Sequence, residues 1–150
     1  MSCYEMESEP LDEIFGFHMD YPTADEVHRF KREVSWEERF EVLSQGFHRG
    51  CYVDYCYTLQ SLTDFVTKRN PRNPTGGVRT LDGEKLTAWV NDIIGDHELA
   101  AVLERVFSGN ERMPVIVDTV RVVLSARMNQ YAEVLEEEGL CWILRRIFRC

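Results

Sequence analysis

The sequence predicts an all-α protein, a compact bundle of six or seven helices around a central helix at Pro114–Glu138. Three observations predict it. Ile116, Val117, Val120, Val123, Leu124, Met128, Tyr131 and Leu135 recur at the three- and four-residue spacing of a helix facing a core. Helix-start signals stand ahead of the other apolar segments, at Thr23-Ala-Asp-Glu26, Ser35-Trp-Glu-Glu38, Asp82 and Asp96. One clear loop, Asn70-Pro-Arg-Asn-Pro-Thr-Gly-Gly77, divides the chain into halves that each still need apolar cover, so a single domain is expected.

Taken in order, residues 1–22 form an irregular arm, because Pro10, Gly16 and Pro22 interrupt Leu11, Ile14, Phe15, Phe17 and Met19. A single helical domain is assigned to 23–150. Thr23 caps a short helix that ends near Lys31. Ser35 caps the next, in which Trp36, Phe40, Leu43 and Phe47 repeat at four, three and four residues and make one aromatic face. Tyr52 to Arg69 reads as a further helix through Tyr55, Cys56, Leu59, Leu62, Phe65 and Val66, although its start is rich in β-formers.

Asp82 opens the second half, with Leu86, Trp89, Val90, Ile93 and Ile94 ahead of a stop at Gly95. Asp96 caps a helix carrying Leu99, Val102, Leu103, Val106 and Phe107. Pro114 suits the first position of the central helix, and Gly139 the residue just past its end. The β-branched run at 114–124 would also suit a strand, but the unbroken helical period from Ser125 to Glu138 decides for helix. Val115 and Val122 lie off the stripe, so its first half is expected to be buried nearly all round. Leu140–Cys150 then makes a short amphipathic segment expected to dock back on the core.

Hydrophobic content of 44% and 150 residues suffice for one sizeable core. The net charge of −9 argues against general nucleic-acid binding, which depends on neutralising phosphates. The 14 arginines against 3 lysines read first as coding bias. The apolar runs fall short of a membrane span, and the acidic start has no apolar signal region, so a cytoplasmic protein is expected.

No catalytic constellation stands out, and no cofactor is expected. His48, Cys51 and Cys56 have the side-chain types of a zinc or thiol site, but a second ligand pair at suitable spacing is missing and the cysteines read as small hydrophobes. Arg69, Arg72 and Arg79 frame a glycine-containing loop with an anion site's chemistry, without a P-loop lysine. Trp36, Phe40, Phe47, Trp142 and Phe148 are the candidate anchors for a partner. The expected function is therefore a non-enzymatic interaction or regulatory protein that holds another protein or its own copy through an apolar aromatic surface. Anion binding at the arginine loop and a Cys/His site are the alternatives.

Overall fold

The computed structural model describes residues 16–45, 51–67, 78 and 80–148, and it is mostly helical. Helix α1 spans Ala24–Phe30. The Thr23 capping box closes as expected: the Glu26 amide donates to the Thr23 hydroxyl and the Thr23 amide to the Glu26 carboxylate, each at 3.2 Å. Val27 and Phe30 enter the core.

The segment that follows corrects the aromatic helix predicted from Trp36 to Phe47. Trp36–Glu38 is a single 3-10 turn, after which strand β1 spans Phe40–Gln45. Ser35 spends its hydroxyl on the Glu38 carboxylate at 2.9 Å and donates nothing to helix growth. Strand β2, Cys51–Cys56, pairs antiparallel with β1, with Phe40 opposite Cys56 and Leu43 opposite Val53. The physical reason is a period of two. Phe40, Val42 and Cys56 are buried while Leu43, Val53 and Tyr55 are exposed, and residues three apart fall on opposite faces of a strand. The helix predicted from Tyr52 is likewise halved: only α2, Leu59–Val66, is helical, capped by the Thr58 hydroxyl on the Ser61 amide at 3.0 Å. A β-hairpin therefore packs one face onto the helices and leaves the other exposed.

The second half follows the capping signals closely. Helix α3, Gly83–Ala88, is capped by Asp82 and runs on as a wider π turn over Trp89–Ile94. Gly95 ends it at φ 90°, a left-handed conformation that glycine adopts without strain. The Arg32 guanidinium, reaching from beyond α1, donates to the carbonyls of Ile93 and Ile94, which the helix end leaves without amide donors. Helix α4, His97–Ser108, starts on Asp96, whose carboxylate accepts the Leu99 amide at 3.1 Å. Gly83 lies so close to α4 that a Cβ there would stand 2.5 Å from the Phe107 ring.

Helix α5 spans Met113–Phe148, 36 residues. The 114–124 stretch is helix. Ile116, Val117, Val120, Val123, Leu124 and Tyr131 are buried, whereas Val115 and Val122 are exposed, so the first half is covered on one side only. The predicted stop at Gly139 is absent, and Leu140–Phe148 continues the same helix rather than docking back on the core. At 1.5 Å per residue α5 is roughly 54 Å long, more than the roughly 40 Å across a globular domain of this size. Every residue from 136 to 147 is exposed.

Residues 16–22 of the arm have no regular structure but lie against α4 and α5. Met19 is buried, and the Tyr21 hydroxyl donates to Glu133 at 2.6 Å.

Candidate interaction surface

Among the described residues, the densest network of polar side chains is buried at the junction of the arm, α4 and α5. Arg127, Asp96 and Tyr131 are 1, 1 and 0% exposed. Arg127 sits on the apolar stripe of α5 between Leu124 and Tyr131, which forces its guanidinium inward. Its Nε and Nη2 donate to the two carboxylate oxygens of Asp96, each at 2.8 Å, the paired geometry that suits arginine. Nη1 donates to the Asp20 carbonyl at 2.7 Å and to Gln130 Oε1 at 2.8 Å, while Gln130 donates to the Met19 carbonyl at 3.0 Å. The Tyr131 hydroxyl donates to Asp96.

Burial alone would lower the Arg127 pKa, but the hydrogen bond and charge of Asp96 outweigh it and hold the guanidinium above its ordinary value. Burial, followed by the Asp96 charge, pushes the Tyr131 phenol well above its own. Arg127 thus stays charged and Tyr131 neutral at neutral pH. Among the described residues only Arg39 Nε is a buried side-chain polar atom without a partner, so the cluster is fully satisfied. It is a clamp that holds the arm and the α4 cap to α5, not a centre poised to exchange protons.

Of the candidates read from the sequence, those among the described residues are not brought together at one site. Phe47, His48, Arg69, Arg72 and Arg79 lie outside the described residues. Cys51 and Cys56 stand at opposite ends of β2, their Cα atoms about 16 Å apart at strand spacing. Burial, with a smaller contribution from Asp54, pushes the Cys56 thiol up to about 12, so it remains protonated at neutral pH. Among the described residues no three His, Cys, Asp or Glu side chains are grouped to hold a metal ion. Phe40 is core, its ring centroid 5.3 Å from that of Trp89. Trp36 and Trp142 are exposed, and Phe148 is the last residue of α5.

No family model, curated protein or solved structure matches the chain. Its function is therefore argued from its own surfaces.

Among the described residues two surfaces are apolar. On the outer face of the hairpin, Leu43 and Val53 pair across the strands beside Tyr55 and Trp36. The Arg39 guanidinium lies over both rings, 3.7 Å from the Trp36 centroid and 4.6 Å from that of Tyr55. Beside β1, a groove of about 770 Å³ runs to α3, with Phe40 and Trp89 on its walls and Glu37, Glu41, Asp82 and Lys85 around it.

The second surface is the outer end of α5. Leu140, Ile143, Leu144 and Ile147 stand at i, i+3, i+4 and i+7 and are 50, 46, 50 and 65% exposed. At about 100° per residue they project roughly 180° away from the face that Leu124, Tyr131 and Leu135 turn to the core. The face continuing that core side carries Glu138, Trp142 and Arg145 instead, and the Glu138 carboxylate accepts a hydrogen bond from His28 Nε2 of α1 at 2.9 Å. The apolar side of α5 thus changes over between Leu135 and Leu140. Sequence reading missed this stripe because it broke the helix at Gly139 and weighted the aromatics. The spacing of the four aliphatics was the signal that would have found it. Among the described residues no helix is long and apolar enough to cross a membrane.

Proposed function

We propose that this is a non-enzymatic interaction protein, and that it binds a protein partner with the outer end of α5. One observation carries the reading: the apolar stripe Leu140–Ile147 faces away from the protein's own core. Four half-exposed aliphatics at helical spacing are the anchors with which an amphipathic helix enters a groove or meets another helix. A helix end that served only its own fold would place them on the Tyr131 side. The clamp around Arg127 supports the same reading, since it ties the core-facing half of α5 to the body and so presents the exposed Leu140–Ile147 stretch at a defined angle. The exposed Trp36–Tyr55 hairpin face adds a second apolar surface on the same molecule.

A photo-crosslinking amino acid in place of Ile143, introduced in cells that make the protein, tests the proposal. Illumination is expected to yield discrete protein adducts, and placing the same group at Asp118, on the exposed side of α5 near its start, is expected to yield far less. Absence of any protein adduct from position 143 would refute the interaction reading.

A further inference from the structure

We infer that the free edge of β1 is a docking site for an extended basic peptide, which joins the hairpin as a third strand. The inference goes beyond the interaction role of α5 and does not rest on it, so either can fail alone.

The backbone restricts the kind of occupant. In an antiparallel pair, alternate residues of each strand turn their N–H and C=O groups away from the partner. Among the described residues, Phe40–Gln45 makes no backbone hydrogen bond beyond β2, so this side of β1 is an open row of donors and acceptors. Another extended chain is what matches such a row. The row is also reachable. The groove of about 770 Å³ is lined by the unbroken run Phe40–Leu43 and, of the described β2 residues, by Val53 alone. Lys85 and Ala88 of α3 stand on its opposite wall. The Trp89 indole donates to the Glu38 carbonyl at 2.7 Å and so takes up the edge just ahead of the strand.

The walls restrict the side chains. Successive side chains of an added strand point to opposite faces. One set meets Phe40, Leu81 and Trp89, which suits apolar residues. The other set lies beside Glu41 and Leu43. Glu37, Glu41 and Asp82 line the groove against Arg39 and Lys85. Arg39 stands 3.5 Å from Glu41, but it is laid over the Trp36 and Tyr55 rings and bonded to the Trp36 carbonyl. A basic residue is therefore the cross-strand complement of Glu41. The same carboxylates, with the chain's net charge of −9, work against a second copy, whose own β1 would bring Glu37 and Glu41 to the shared edge. Phe40 to Leu43 spans about 10 Å, room for about four residues of the peptide, so binding is weak and reversible.

The probe is a capped peptide of alternating lysine and valine, titrated to about 1 mM against the reduced protein while amide exchange is followed at Phe40–Leu43. Alternate amides of this run are expected to exchange freely without peptide and at least about tenfold more slowly with it. Glu41→Lys is expected to weaken binding by about threefold, and Ala88→Trp, which fills the groove from its exposed helix wall, to abolish it with an unchanged melting temperature. Methylating the backbone nitrogens of all the lysines, or of all the valines, blocks one edge of the peptide only. One of these two forms is expected to bind and the other not.

No slowing of exchange in β1 overturns the inference, as do two methylated forms that behave alike. Equal binding of a peptide with glutamate in place of lysine overturns the basic occupant. Slow exchange of the same amides in the free monomer would mean that the chain fills its own groove, and a dimer abolished by Ala88→Trp would make a second copy the occupant; both overturn the peptide. The crosslink at position 143 reports on α5 alone, so its outcome leaves this test unaffected.

Discussion

Replacing Asp96 with asparagine removes a charge and almost no volume, which isolates the electrostatic part of the buried clamp. Asparagine retains a side-chain oxygen for the Leu99 amide, so the cap on α4 is largely kept. What is lost is the anion facing a guanidinium that is 1% exposed and bonded to both carboxylate oxygens. Leaving one member of a buried pair uncompensated costs about 3–5 kcal/mol. For a domain of this length each kcal/mol moves the melting temperature by about 2–4 °C, so Asp96→Asn should melt about 6–20 °C lower. Urea denaturation of Asp96→Asn, Arg127→Met and the double variant measures the coupling directly. Arg127→Met removes the cation but strips donors from the Asp20 carbonyl and Gln130, so it is costly on its own. The double variant should be more stable than the sum of the single costs implies, by at least about 2 kcal/mol. If Asp96→Asn costs less than about 1 kcal/mol, or if the two costs simply add, the clamp does not hold the fold as argued.

Other consequences are open to equally direct measurement. Because Phe40–Gln45 is a strand, Val42→Asp should destabilise by more than about 3 kcal/mol while Leu43→Asp costs under about 1 kcal/mol; the opposite ranking would restore a helix there. Gly95→Ala, at φ 90°, should cost about 1–2 kcal/mol in thermal melts. Gly83→Ala, which drives a methyl into the Phe107 ring, should cost about 1–3 kcal/mol, and a neutral result at either glycine contradicts the local geometry. The Cys56 thiol has an ordinary value of 9.0 and is pushed up to about 12 in the fold, so its contribution is complete below pH 9 and is lost as pH rises toward 12. Tyr131, also raised, acts in the same direction above its ordinary value of 10.0. Urea midpoints should therefore fall between pH 9 and pH 11, less steeply in Cys56→Ala, and a flat profile would exclude the buried thiol as a contributor. Mass-mapped alkylation at pH 8 should modify the exposed Cys141 rapidly and Cys56 only on unfolding.

Local signals in the sequence were reliable where a short-range interaction completes them. Thr23 with Glu26, Asp82, Asp96 and Gly95 each act within a turn of the backbone they cap, and each does so in the fold. Ser35-Trp-Glu-Glu38 has the same letters, yet a strand pairing with residues 51–56 takes over the chain two residues later. The partner strand follows within six residues and its β-formers were legible, but Trp36, Phe40 and Leu43 also repeat at helical spacing, and only the cross-strand pairing decides between the two periods. Gly139 misled for another reason. Glycine inside an exposed helix costs only about 1 kcal/mol, which the long helical periods on either side of it outweigh. Arg127 was hidden among 14 arginines, although a charged residue on the Leu124–Tyr131 stripe was legible as a buried cation in need of an anion. That its partner would be the residue already capping α4 is a fact of tertiary packing alone.

The reach of Arg127 and Gln130 into the arm sets an order in time. The carbonyls of Asp20 and Met19 are separated from their donors by 107 and 111 residues. During synthesis these acceptors are made long before the donors in α5 that meet them in the fold. Closing so long a loop is an unfavourable late step, offset only when Asp96, Arg127 and Tyr131 come together. A chain that stops ahead of Arg127 therefore lacks the one side chain that joins the Asp20 carbonyl and the Asp96 carboxylate to α5.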